Sequence, residues 1–321
     1  QRQMCIRDRT YFEIMTASAF RHFADEAVDV AVIEVGMLGR WDATNVVQSQ
    51  VAVITNIDLD HTEFAGPTLA DIAREKVGIS KSESSLVIGD VNDDLNSIWA
   101  EAPSRGLVRR IEHFDCISNE LAVGGRLLDV STPRTVYRDV MVPLHGRHQG
   151  DNASIAIVAV EEFFDAPVDD EVLREGMSTV EMPGRFEVLG HHPLVIIDGA
   201  HNPAGADVCA AVFFDDFSPV GRRILVVGTL KGRDPELTLG ALRVDDFDVV
   251  ITCTAPSPRG LESAVLASTA RSMGCDEVLE CTSVEEACAK ALSVASEDDA
   301  ILVAGSLYVV GSARTALRRS L

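Results

Sequence analysis

No stretch of this 321-residue chain is apolar for long enough to span a membrane, and its first residues lack the hydrophobic core of a signal peptide. A cytoplasmic protein with no membrane partner is therefore the expectation. Paired cysteines are missing too. The seven cysteines (5, 116, 209, 253, 275, 281 and 288) form no Cys-x-x-Cys, and the residues between Cys281 and Cys288 read as ordinary helix. That pattern supports neither a zinc site nor a disulfide framework, and it leaves structural thiols in a reducing compartment. Positive charge is scarce: 28 Lys and Arg stand against 50 Asp and Glu, a net charge of −22. Nucleic acid requires a basic face, so it is excluded as a partner. The acidity favours solubility, as in a salty habitat, and any anionic ligand would need a local basic site to overcome it. No His-x-His occurs, which argues against a two-metal hydrolase built on a carbamylated lysine. Solenoid repeats and low-complexity segments are absent as well.

What remains is a chain 46% apolar and 24% charged, long enough for two ordinary domains. Residues 10–27 have helical spacing, with Phe12, Met15, Ala19, Phe20 and Phe23 near one face. Apolar runs at Val28–Val35 and Val51–Ile54 read as buried strands, and Pro67-Thr68 opens a helix over Leu69–Gly78. A short strand at Leu86–Ile88 and a helix at Val91–Ala100 follow. Between Val108 and Val142 the period drops toward two around Gly124-Gly125, the pattern of an antiparallel ribbon. Helices are expected at Asn152–Phe164 and Asp170–Ser178, and Pro183-Gly184 breaks the chain.

Beyond Glu187 strands and helices alternate. Strands are expected at Leu194–Ile197, Ile224–Val227, Val249–Thr252, Val278–Cys281 and Ile301–Val303. The helices between and after them are Ala204–Phe214, Pro235–Leu242, Leu261–Met273, Ser283–Ala295 and Leu307–Arg319. That order implies a parallel sheet covered on both faces, a Rossmann-like α/β domain.

Three phrases belong together: Ile33-Glu-Val-Gly36 through Asp42-Ala-Thr-Asn45, Thr55-Asn-Ile-Asp-Leu-Asp-His-Thr62, and Ala73-Arg-Glu-Lys-Val-Gly-Ile79. The first two follow apolar runs, so Glu34 and His61 are expected at strand ends, where open α/β sheets place ligands. Read alone, Glu34 could equally be a carboxylate paired with Arg40 or with solvent, His61 a hydrogen-bonded histidine, and Lys76 an exposed helical lysine.

These phrases, with Thr10-Tyr-Phe-Glu13, Gly146-Arg-His-Gln149, Asn152-Ala153, Met182-Pro-Gly-Arg185, Asp198-Gly-Ala-His-Asn-Pro203 and Gly305-Ser-Leu-Tyr308, resemble in order the folylpolyglutamate synthase/dihydrofolate synthase family of the Mur ligase superfamily. The resemblance runs from about Thr10 to the C-terminus. It departs where the family's second glycine in the glycine-rich turn is Leu38 and its leucine before the Asp is Trp41.

The resemblance implies a Mur-ligase-like central domain over residues 10–187, a parallel sheet with helices plus a β-ribbon. A Rossmann-like glutamate-ligase domain would follow over residues 188–321. It also implies an ATP-dependent amide ligase. ATP would phosphorylate a carboxylate of dihydropteroate or of a folate such as tetrahydrofolate, and the amine of L-glutamate would displace phosphate. Closure of the second domain on the first would exclude water from the acyl phosphate. Two Mg²⁺ sites are implied, with Mn²⁺ able to substitute. Glu34, His61 and a carbamylated Lys76 would be the ligands, because a captured CO₂ turns a repelled ammonium into an oxygen donor. A monomer is expected.

Asn152, Arg185, Asp198 and His201 would meet ATP, with Lys76, Asp198 and His201 as the catalytic set. Asn152 could instead cap its helix, Arg185 could be a linker arginine, and capping alone would explain Asn202 and Pro203. Thr10, Phe12, Trp41, Asp42 and Ala43 would line the pterin side, although Phe12 also suits the core face of its helix. Lys231 and Asp234 would take the incoming glutamate or phosphate, and Ser306 the glutamate side.

Two expectations concern the N-terminal side. Residues 1–9 match nothing in the family and read as a tag, a vector scar or a mis-called start. The family's phosphate cradle, Gly-x-x-x-x-Gly-Lys-Ser/Thr, occurs nowhere in the chain. The chain thus reads as an N-terminally truncated ligase that is inactive as it stands. Other readings are a different Mur-type or cyanophycin-type ligase, or a non-catalytic folate-binding remnant. The absence of a muramyl-specific appended domain and the presence of the Thr10-Tyr-Phe-Glu13 helix argue against the first of these.

Overall fold

A computed structural model describes residues 9–59 and 62–319. It is an α/β protein of two compact units. Unit 1 comprises Gln1–Ser118, Asp129–Asp139 and Gly150–Leu173, and unit 2 comprises Asn119–Leu128, Val140–Gln149 and Arg174–Leu321. Among the described residues no helix is long and apolar enough to cross a membrane.

Unit 1 holds a parallel sheet in the order β1 (Val51–Ile54), β2 (Ser85–Ile88), β3 (Gly106–Arg109). Alternation along the strands splits its core. Ala52, Ile54, Leu86 and Ile88 pack with Ile72, Ala73 and Trp99, while Val87 and Val108 pack with Phe114, Ile155 and Val158. All four residues of β2 are buried, as the centre of a covered parallel sheet requires. The helix Leu69–Lys76 is opened by Thr68 in a capping box with Asp71. It passes into a 3₁₀ turn, Val77–Ile79, two residues before the expected end. The expected helix at Val91–Ala100 is a 3₁₀ turn, Asp93–Leu95, followed by an α-helix, Asn96–Glu101.

The strand expected at Val28–Val35 is not formed. That segment is coil with a bend at Asp29, and Val32 is 92% exposed. Strand structure needs a neighbour to receive its ladder and a layer to cover its faces. Among the described residues this segment has neither, so apolar composition alone does not make it a strand.

The ribbon is real but starts later than its periodicity suggested, because Gly106–Arg109 joins the parallel sheet. Its strands are β4 (Asp115–Ala122), β5 (Gly125–Ser131) and β6 (Val136–Val142). Gly124, at φ +79°, makes the turn between the first two.

The large sheet lies in unit 2, in the order β11 (Val278–Glu280), β10 (Val249–Thr252), β9 (Arg223–Val227), β12 (Ala300–Ala304), β8 (Leu194–Ile197), β7 (Glu187–His191). Strands β8 to β12 run parallel. The unpredicted β7 pairs antiparallel with β8 across a bulge and is only half-buried. Leu225, Val227 and Leu302 face one layer of helices, while Ile224, Val226 and Ile301 face the other. This is why β9 and β12 read as unbroken apolar runs rather than alternating ones. The chain skips from β8 to β9, and β12 fills the gap. Sheets of this kind place ligands beyond the carboxyl ends of the strands at such a point, here the ends of β8, β12 and β9.

The cysteines among the described residues are free. Burial, the largest influence on each, pushes the Cys253 and Cys288 thiols up to about 12. They stay protonated and inert, as structural thiols should.

Candidate active site

The sequence-predicted residues fall into two groups, one in each unit.

In unit 1, the helix Tyr11–Glu26 begins with a capping box. Thr10 Oγ1 accepts from the Glu13 amide at 3.2 Å, and Glu13 Oε2 accepts from the Thr10 amide at 2.6 Å. Phe12 is 42% exposed, so it does not serve the core. Its ring lies over Gly36, where an added β-carbon would collide with Cζ. The turn that follows is held by Asp42. Its Oδ2 accepts from the Met37 amide at 2.9 Å, and its Oδ1 accepts from the Thr44 amide at 2.9 Å and hydroxyl at 2.6 Å. Ala43 opens the ensuing 3₁₀ turn, and Trp41 is 87% exposed. Asp42 is thus occupied in building the turn, while the Trp41 and Phe12 rings are exposed.

The turn docks on the phrase around Lys76. The Arg40 amide donates to Glu75 O at 2.9 Å, and its guanidinium meets the Glu75 carboxylate at 3.3 Å. Arg40 therefore pairs with Glu75 and not with Glu34. Asn45 Nδ2 donates to Arg40 O at 2.9 Å and to Gly78 O at 3.0 Å. Gly39 is required at this contact, since a β-carbon there would sit 2.7 Å from Lys76 O. Glu34 is exposed, on coil rather than on a strand end, with no hydrogen bond or ion pair to the described residues. Lys76 is half-buried, not an exposed helical lysine, and its Nζ donates to Asn56 O at 3.1 Å. His61 lies outside the described residues. The loop that leads to it is fixed by Asp90, a buried residue the sequence reading missed. Asp90 Oδ2 accepts from the Ile57 amide at 2.8 Å. Asn152 is exposed within the helix His148–Phe164, four residues from its start, so it is not the N-cap.

Among the described residues no group of three or more His, Cys, Asp or Glu could hold a metal. The exposed Glu34 carboxylate suits Mg²⁺ or Mn²⁺ only as one of one or two protein ligands, with water and phosphate oxygens completing the shell. Mg²⁺ is commonly bound in that way.

In unit 2, Met182-Pro-Gly-Arg185 and Asp198-Gly-Ala-His201 come together. The Gly199 amide donates to Gly184 O at 2.7 Å, and the Arg185 guanidinium lies beside Gly199, its Nη1 3.1 Å from where a β-carbon would be. Asp198 ends β8. Its Oδ2 accepts from the Phe186 amide and its Oδ1 from the Ala200 amide, each at 2.8 Å. Burial, the largest influence, pushes its carboxyl above the ordinary range. The amide donors and the charges of Arg185 and His148 oppose that rise. His201 Nδ1 lies 3.0 Å from Gly199 O, and an Nδ1–H donor there leaves Nε2 as an acceptor. Asn202 Oδ1 caps the helix Pro203–Ala211 at the Gly205 amide, 2.9 Å away, with Pro203 as its first residue.

At the neighbouring strand ends, Lys231 is exposed and Asp234 caps the helix Pro235–Ala241. Ser306 is buried, and its Oγ accepts from the Tyr308 amide at 3.2 Å. Gly305, at φ +106°, faces Gly228 O at 2.6 Å from a hypothetical β-carbon, so no other residue fits. Thr229, absent from the sequence-predicted set, has a buried hydroxyl without a hydrogen-bond partner among the described residues. Its strand-end position beside Lys231 was the available signal.

Comparison with known proteins places these features. The profile "Mur ligase middle domain" matches residues 6–160, and "Mur ligase, glutamate ligase domain" matches residues 184–307. The chain is 37% identical over 337 residues to the dihydrofolate synthase/folylpolyglutamate synthase of Mycobacterium tuberculosis, covering 96% of this chain and 68% of that protein. The M. tuberculosis folylpolyglutamate synthase structure complexed with ADP superposes with a TM-score of 0.90 at 37% identity, over 99% of this chain and 74% of that one. The bifunctional folylpolyglutamate synthase/dihydrofolate synthase from Yersinia pestis, complexed with AMPPNP and a Mn ion, gives 0.81 at 30% identity, over 97% and 72%.

Proposed function

Because this chain belongs to the folylpolyglutamate synthase/dihydrofolate synthase family of Mur ligases, we propose that its residues serve ATP-dependent ligation of L-glutamate to a folate or to dihydropteroate. The observation that carries the reading is the junction in unit 2, where the Arg185 guanidinium beside Gly199 adjoins the restrained Asp198 carboxylate and His201. A guanidinium supplies charge for phosphate oxygens, and a fixed carboxylate and an imidazole acceptor suit the hydroxyls and N–H groups of a nucleoside. Asn152, in unit 1, is proposed separately as a nucleotide contact.

Glu34, His61 and a carbamylated Lys76 would hold Mg²⁺ or Mn²⁺, which supplies charge neutralisation on phosphate oxygens. Phe12 and Trp41 would take the pterin ring, on the frame that Thr10, Asp42 and Ala43 build. Lys231 would meet a glutamate carboxylate, with Ser306 fixing the adjacent helix end. The transferred phosphoryl group would go to a substrate carboxylate, and the glutamate amine would then expel phosphate. We assign the central-domain role to residues 10–187, the glutamate-ligase role to 188–321, and a monomeric working form.

Nucleotide binding is the first test. ADP binding by calorimetry should weaken at least about tenfold in Arg185→Ala and in Asp198→Asn, the loss of one charge-assisted contact. An affinity indifferent to both would sink the reading. Turnover is a separate matter. The 321 residues contain no Gly-x-x-x-x-Gly-Lys-Ser/Thr, and positioning of the γ-phosphoryl group dominates phosphoryl transfer. This polypeptide alone is expected to bind without turning over. Phosphate release from ATP with dihydropteroate or tetrahydrofolate plus L-glutamate, at a normal enzymatic rate, would overturn that expectation.

A further inference from the structure

Phe186 adjoins Arg185 and contacts Asp198, yet it belongs to neither motif's charged set. Its φ is +44°, in the left-handed region that a phenylalanine enters only at a steric cost. Such a conformation persists where the surroundings over-determine it, and here they do so from two sides. The ring is 4% exposed, with its centroid 6.0 Å from that of His145 and 5.3 Å from that of Phe217. His145 and Phe217 are themselves in edge-to-face contact at 4.9 Å. The backbone amide donates to Asp198 Oδ2 at 2.8 Å. A return to negative φ must therefore swing the ring out of the aromatic cluster or turn the 185–186 peptide away from Asp198.

The cluster has firm support. Phe217 follows the π-helical turn Val212–Asp216, whose last residue meets the buried Arg126 guanidinium at 2.9 Å. Arg126 also donates to Asn119, and Asn119 Nδ2 donates to Arg147 O at 2.7 Å, two residues from His145.

We propose that Phe186 is a positioning residue of the nucleotide site: its ring, anchored by His145 and Phe217, fixes the 185–186 peptide so that its N–H restrains Asp198 and Arg185 stays beside Gly199. The proposal rests on the reading that Arg185 and Asp198 meet the nucleotide.

Three variants of the full chain separate positioning from mere packing. Phe186→Leu keeps an apolar anchor, Phe186→Ala removes it while retaining the left-handed penalty, and Phe186→Gly removes it together with that penalty. The first readout is the Asp198 carboxyl titration, followed by carbon-13 NMR without nucleotide. It should move upward in Phe186→Ala, as a carboxylate loses an N–H donor, and stay close to wild type in Phe186→Leu and Phe186→Gly. The second readout is ADP affinity, which should fall about tenfold in Phe186→Ala and be restored at least in part by Phe186→Leu. A simple packing defect would affect Phe186→Gly as strongly as Phe186→Ala, and that outcome overturns the proposal. So does an Asp198 titration unmoved in Phe186→Ala, or one that moves while ADP affinity does not. If the wild-type chain binds no ADP, the nucleotide reading fails, and the titration still decides whether Phe186 restrains Asp198.

Discussion

The Nζ of Lys76 donates to the carbonyl oxygen of Asn56 at 3.1 Å. A lysine at the end of a helix is thereby drawn to the loop after β1, the loop that continues to His61. Lys76 is half-buried there. Carbamylation of Lys76 is the expected outcome. Crystals grown with bicarbonate and Mg²⁺ should show added density at Nζ, and carbon-13 bicarbonate should give a carbamate resonance that Lys76→Arg abolishes. A bare ammonium under those conditions would rule it out.

Glu34 stands exposed with no partner among the described residues, so its carboxylate is available to a cation without breaking any described contact. Glu34→Gln should weaken Mn²⁺ binding, read by paramagnetic resonance, by about tenfold or more, and the melting temperature should hold within about 2 °C. Unaltered Mn²⁺ affinity would remove Glu34 from the metal set.

Gly36 leaves no room for a β-carbon beneath the Phe12 ring. The colliding atom is the far end of a half-exposed side chain, so Gly36→Ala should displace the ring at a stability cost below about 1 kcal/mol. A pterin bound against that ring would be lost with it. Dihydropteroate affinity should therefore drop several-fold while unfolding by urea is almost unchanged. The reverse pattern would mean that Phe12 serves the fold.

The His145 imidazole is held below its ordinary value of 6.5. Burial is the main cause, the nearby Arg126 charge adds to it, and Asp216 opposes it. The neutral form is thus favoured by folding. Its contribution is fully present above pH 6.5 and is lost as pH falls through the lower folded-state value. Between these limits stability should decline with acidification by at most about 1.4 kcal/mol per pH unit. Thermal melts from pH 7.5 to 5 should show that slope, and His145→Gln should flatten it. An identical slope in the variant would assign it to other groups.

How much of this was legible in the sequence depends on whether a residue's role is local. The large sheet was readable because β8, β9, β10 and β12 are buried on both faces, which forces unbroken apolar runs. The Asn202-Pro203 helix start was readable because capping is a contact within four residues. The segment Val28–Val35 had the composition of a strand, but pairing is a property of two segments, and composition describes one. Leu38 shows the same limit. It replaces the glycine of the family's turn, and it does occupy a left-handed conformation, φ +58°, while packing partly against the cluster that includes Ile72 and Trp99. The sequence marked the anomaly, and only the fold supplies the side-chain contact that offsets its strain. Asp90 and Phe186 were invisible for a related reason. Each works through a hydrogen bond that spans a long stretch of chain, Asp90 to Ile57 and Phe186 to Asp198, and no spacing rule connects those pairs.

The last helix, Leu307–Leu317, has a reach beyond its own packing. Arg314 and Arg318 both grip the Glu187 carboxylate, at 2.9 and 3.2 Å, and that carboxylate also takes the Gly184 amide at 2.8 Å. The residue before Arg185 is therefore tethered to the far end of this helix. A substitution that frays the helix end around Arg318 would slacken an arginine more than 130 positions upstream, so the helix end acts as a distant brace of that loop.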